Sequence, residues 1–152
     1  MSTDETTTSD LIETLKNGEE GFLKAAEKLA DDGRSDLSAE FMTYSQQRAR
    51  FSSELATIAQ AYGDHVPERS SVPGAVHRGW IAVKDAFSGS SPEAVLKAAA
   101  TGEDHAVGEY EDAMKADIST DLRAVLARQF SEISAARDRV RMLAEQHSDS
   151  TP

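Results

Sequence analysis

Four positions place polar groups where chemistry could be done. Along one amphipathic stretch the apolar steps run Ile12, Leu15, Glu19, Phe22, Ala26 and Leu29, so Glu19 falls on the apolar side of a helical repeat. A later stretch steps through Leu96, Ala99, Glu103, Val107 and Tyr110 and puts Glu103 in the equivalent place. Gln47 and Glu132 lie at the edges of two further stripes. A carboxylate turned into a helical interior is costly unless it is paired or liganded. Acids at one level of a bundle therefore imply either a metal or partner side chains.

The metal version has a stringent pattern. In a di-iron or di-manganese carboxylate centre, two helices each give a Glu and the other two each give Glu-x-x-His. Here the residue three beyond Gln47 is Arg50, and the residue three beyond Glu132 is Ala135. Both imidazoles are missing, and one acid is replaced by an amide. The favoured expectation is a structural polar layer, with Glu19, Glu103 and Glu132 satisfied by arginine or glutamine. Gln47, Arg48, Arg50 and Arg137 are the nearby partners. The alternative is a degenerate carboxylate site in which Glu19, Glu103 and Glu132, with Gln47 nearby, hold iron or manganese, as hard cations accept oxygen ligands alone.

The remaining reactive residue types add little. His105 follows Glu103 by two and so points away from it on a helix. His65, His77 and His147 fall in a connection, a short segment before Trp80, and the C-terminal tail. No glycine-rich phosphate loop follows a strand, and no Ser/His/Asp set has a strand–turn–helix setting. Tyr44, Phe51, Trp80 and Tyr110 could line a pocket, but their spacing is that of core. No catalytic residues are predicted.

Four long helices must position these groups. The first starts at a Ser9 or Asp10 cap, with Glu13 completing a capping box, and stops at Asp31-Asp32-Gly33. The second runs from about Ser35 to Tyr62, through Leu37, Phe41, Tyr44, Phe51, Leu55 and Ile58. After a polar connection, a short helix carrying Val76, Trp80, Val83 and Phe87 is expected from about Gly74. The third long helix begins after Ser91-Pro92 and reaches about Lys115. The fourth is capped by Ser119 or Thr120 and presents Leu122, Val125, Leu126, Ile133, Ala136, Val140 and Leu143. No stretch alternates as a strand does. Two short loops and one long crossover between the second and third helices predict an all-α, ferritin-like four-helix bundle. It should span residues 9–146, between frayed tails at 1–8 and 147–152.

The two halves also resemble each other. Asn17-Gly18-Glu19-Glu20-Gly21 parallels Thr101-Gly102-Glu103-Asp104-His105. The following helices align Phe41 with Leu126, Gln47 with Glu132, Phe51 with Ala136, Leu55 with Val140 and Ile58 with Leu143. Two helical hairpins related by a pseudo-two-fold are implied.

Composition narrows the functional classes. The 152 residues suit one domain, with 39% hydrophobic and 28% charged residues, enough for a packed core. Sixteen Lys and Arg against 27 Asp and Glu give a net charge of −11, which argues against nucleic acid and anionic membranes as partners. Cysteine is absent, removing disulfides, thiolate nucleophiles and Cys-ligated zinc. No apolar run approaches the roughly 20 residues that span a bilayer. A soluble cytoplasmic protein is expected.

Several of these segments together resemble a known family. They are Asn17-Gly18-Glu19-Glu20-Gly21-Phe22, Gln47-Arg48-Ala49-Arg50-Phe51, Val72-Pro73-Gly74-Ala75-Val76-His77-Arg78-Gly79-Trp80, Gly102-Glu103-Asp104 and Ala135-Ala136-Arg137-Asp138-Arg139-Val140-Arg141. The chain from about Asp10 to Leu143 is similar to the bacterial domain-of-unknown-function family DUF2383, whose members are four-helix bundles of the ferritin-like superfamily. The resemblance implies that fold and brings no catalytic site. Members often carry histidine where this chain has Arg137, a departure that weakens metal binding. The functional expectation is a non-catalytic bundle working through self-association as a homo-oligomer or through a protein partner. The alternatives are carboxylate-bridged di-metal binding or oxidoreductase activity, and a small-ligand pocket near Trp80.

Overall fold

The computed structural model describes residues 3–61 and 91–149. Within them the chain forms four helices and no strand: α1 (Thr3–Asp31), α2 (Ser35–Gln60), α3 (Pro92–Lys115) and α4 (Thr120–Asp149). The short helix expected from Gly74, with His65, His77 and Trp80, lies outside the described residues.

The helix ends follow local chemistry. After α1, Gly33 adopts φ +79°, and the Arg34 N–H reaches back to the Leu29 carbonyl at 2.8 Å. This left-handed closure is one that glycine makes at little steric cost. At the start of α3 the Ser91 hydroxyl accepts from the Ala94 N–H, with Pro92 at the first helical position. Ser119 caps α4 by accepting from the Leu122 N–H.

Two ends differ from the sequence reading. Helix α1 starts at Thr3, inside the stretch read as a frayed tail, and Thr8 and Ser9 are buried. Its first turn is held from outside: the Asp4 carboxylate accepts from the Ser119 N–H at 2.8 Å. That tertiary contact has no local signature. At the other end, α4 continues to Asp149, three residues past the expected boundary.

Helix α1 packs along α2, α3 along α4, and α1 against α3. Small residues allow the closest approach, between α1 and α2, where Ser38 donates to the Ala26 carbonyl and Ser45 to the Glu19 carbonyl. The backbones of α2 and α4 stand further apart and are bridged by long side chains. Adjacent helices run antiparallel, and the diagonal pairs α1/α4 and α2/α3 run parallel.

The core is in two pieces. One cluster joins Phe22, Ala26 and Leu29 of α1 to Leu37, Phe41, Val95, Leu96, Ala99, Val140 and Leu143. The other joins Leu11 and Leu15 to Phe51, Leu55, Val107, Tyr110, Leu122, Leu126 and Ile133 at the opposite end. Between them lies a polar level.

Candidate functional site

The polar level is built around Arg48 and Glu103. Arg48 follows Phe41 by seven residues, or two helical turns, so α2 aims it inward at the middle of the bundle. Glu103 sits on the Leu96–Ala99–Val107 face of α3. Both side chains are essentially inaccessible, at 1% and 0% exposure. The guanidinium meets the carboxylate in a two-pronged bond, Nη1 to Oε1 at 2.5 Å and Nη2 to Oε2 at 2.7 Å. Planar fork-on-fork pairing of this kind is the strongest geometry available to an arginine and an acid.

The surroundings fit the guanidinium. The Gln47 Oε1 accepts from Arg48 Nε at 3.2 Å. Phe22 presents its ring 5.2 Å from the guanidinium carbon, close enough for cation–π attraction. Gly18 lies opposite, where an added Cβ would come 3.4 Å from Nη1 and 3.6 Å from Cγ of Arg48. A single methyl there would only touch the arginine, whereas a longer side chain would run into it.

A second polar chain crosses the other half. The buried Tyr110 hydroxyl donates to Gln129 Oε1 at 2.8 Å, and Gln129 Nε2 donates to Glu54 Oε1 at 2.7 Å. Arg128 also pairs with Glu54. Nearer the other end, Glu40 accepts from Arg139 Nε at 2.8 Å and from the Tyr44 hydroxyl at 2.8 Å. The Arg139 bond holds the Glu40 carboxyl below the usual glutamate range, with Tyr44 adding to the effect. Burial pushes both phenols far above their ordinary value, with Glu40 reinforcing this at Tyr44, so both remain protonated donors.

The four sequence candidates do not converge. Only Glu103 is fully inward. Glu19 is half-buried, Gln47 is half-buried and bonded to Arg48, and Glu132 is exposed on the outer face of α4. The inward placement expected for Glu132 is therefore corrected: Ile133, one residue on, occupies the core direction. In the hairpin alignment Ile133 corresponds to Arg48, so the second hairpin offers no cation to receive Glu19. With no counter-charge from Ile133 at the matching position, Glu19 gains by staying near water. Among the expected arginine partners, Arg48 meets Glu103. Arg137 bonds Asp138 and Asp104 near the surface, and Arg50 is exposed.

A di-metal centre does not fit this donor set. Both Glu103 oxygens accept from Arg48, and among the described residues no three His, Asp or Glu side chains gather as a metal would require.

Sequence spacing does not single out Gln129, although it stands on the stripe between Leu126 and Ile133. A polar residue at an apolar step is the available signal. The pairing of Glu40 with Arg139 has none, because both lie at the margins of their stripes.

The model of a domain of unknown function, DUF2383, matches residues 5–116, most of the chain. The chain belongs to that family. The DUF2383 match takes in α1, α2 and α3, and with them both members of the buried ion pair. It stops at Ala116, where α3 ends. No curated protein gives a significant match.

Proposed function

We propose that this DUF2383 protein is a non-catalytic, ferritin-like bundle that acts in the cytoplasm through self-association or a protein partner. The observation carrying this reading is the engagement of Glu103 by Arg48. The most deeply buried acid, the one best placed to ligate or to transfer a proton, has both oxygens committed to a guanidinium that cannot release its proton at physiological pH. Parallel diagonal helices and the long α2–α3 crossover support the ferritin-like topology. No helix among the described residues is long and apolar enough to cross a membrane.

The test pairs elemental analysis of protein purified without chelator with its mass in solution by light scattering. Substoichiometric metal and a mass above the monomer, or retention of a specific protein, are expected. Stoichiometric iron, manganese or zinc surviving dialysis, and lost on Glu103→Ala, would defeat the proposal in favour of the degenerate di-metal reading.

A further inference from the structure

The start of α1, from Thr3 to Asp10, includes no Leu, Ile, Val, Met, Ala or aromatic residue. This part of the helix therefore brings little apolar burial to the bundle, and the apolar anchorage begins only at Leu11, Ile12 and Leu15. Thr6, Thr7 and Thr8 in succession lower helix propensity, because branched side chains lose rotamer freedom in a helix. Closure also has a polar cost, since the Thr8 hydroxyl is fully buried with no hydrogen-bond partner. Against these terms stands the Asp4 carboxylate, which accepts from the Ser119 N–H at 2.8 Å. There the unpaired amides of the first turn of α4 favour a negative charge.

The same segment closes onto carboxylates. A groove of about 170 Å³ between α1 and α3 is lined by Thr7, Asp10 and Leu11 on one side and by Glu109, Asp112 and Ala113 on the other. Asp10 is the charged group that faces Glu109 from α1, and Asp112 and His105 face it from its own helix. Among the described residues, no charged group of α2 or α4 acts on it. Burial, then repulsion from Asp112 and Asp10, raises the proton affinity of Glu109, and His105 opposes the shift. Moving Thr3–Asp10 away removes Asp10 and admits water, which returns Glu109 towards an ordinary carboxyl. Proton uptake therefore favours the closed segment, and that contribution is lost as pH rises through the closed-state value.

We propose that Thr3–Asp10 is a proton-sensitive latch, closed over α3 and the start of α4 when Glu109 is protonated and released, ahead of the rest of the bundle, when Glu109 is ionised. Leu11 and Leu15 mark the fixed end of the moving segment. Release withdraws Asp4 from the recess that it lines with Ile58, Leu122 and Val125, and leaves the Ser119 N–H without that acid. Segments that open locally are those with few apolar contacts. Here the local sequence and the facing charge act in the same direction.

The test is amide hydrogen exchange of the full-length protein by NMR, read as protection factors, which correct for the intrinsic pH dependence of exchange. At about pH 7.5 the Thr7–Leu11 amides are expected to be far less protected than those around Ile133. Their protection should not respond to low urea, because a local opening exposes little surface. It should rise several-fold on going to about pH 5, towards the ordinary carboxyl range. Glu109→Gln, which keeps the shape and removes the charge, should hold the segment at its acid-side protection at both pH values. Asp4→Ala should lower protection at both and keep the pH response. The proposal is overturned by protection at Thr7–Leu11 that equals the Ile133 region and falls with urea, which is global opening. Protection that ignores pH, or that Asp4→Ala leaves unchanged, overturns it as well. So does a pH response that survives in Glu109→Gln, including one that His105→Gln abolishes, because another group would then carry it.

Discussion

Arg48 on α2 and Glu103 on α3 meet across the diagonal of the bundle, 55 positions apart in sequence, and separate its core into two apolar clusters. The pair links the two hairpins at mid-height and fixes their axial register, since sliding by one turn would leave both charges in apolar surroundings. Burial of this kind favours specificity over net stability, because desolvation offsets much of the attraction.

Removing one partner should therefore be far worse than removing both. Glu103→Leu or Arg48→Met alone leaves an unpaired buried charge or hydrogen-bonding group and should cost about 3–5 kcal/mol in denaturant unfolding. The double replacement should recover most of that loss. A double variant as unstable as the worse single would show that the charges were not compensating one another.

Gly18 makes a graded test of the arginine's seat. Alanine there enters ordinary contact with Arg48 and raises helix propensity, so Gly18→Ala should change stability favourably by up to about 1 kcal/mol. Gly18→Leu must displace the guanidinium and should destabilise. A double-mutant cycle with Arg48→Met locates the clash: the leucine penalty should shrink once the arginine is gone.

The Tyr110–Gln129–Glu54 chain predicts another non-additive pair. Gln129→Leu strips the buried phenol of its acceptor and should cost about 1–3 kcal/mol. Combining it with Tyr110→Phe should restore much of the loss, as measured by urea unfolding. Equal and additive losses would mean that the bond contributes little.

Glu109 supplies the pH dependence. It lines a groove between α1 and α3 with Asp10 and Asp112. Burial first, then repulsion from Asp112 and Asp10, raises its proton affinity above the ordinary glutamate value of 4.5, while His105 opposes the shift. A folded-state value above the unfolded one means that protonation favours the fold. The contribution is complete below 4.5 and lost as pH rises through the folded-state value. Glu109→Gln should therefore raise the melting temperature at neutral pH, with its advantage fading towards pH 4.5. An advantage that grows on acidification would reverse the assignment.

Periodicity and capping make much of this molecule legible in its sequence. Stripes of Leu, Ile, Phe and Ala at 3–4 spacing determined four amphipathic helices. Gly33, Ser91-Pro92 and Ser119 marked their ends because caps are satisfied by residues only a few positions away. Glu103 announced itself as an acid on an apolar face. The tertiary structure decided which charge would answer it, since a helical repeat gives a face but neither the depth of a side chain nor its neighbour on another helix. Sequence spacing already put Ile133 on the α4 stripe and Glu132 at its edge. Whether an edge position faces the polar level or water is decided only by how α4 packs, and there Glu132 is exposed. The same holds at Thr3–Thr8, a polar stretch that becomes helix because Asp4 finds the Ser119 N–H, a partner 115 residues away.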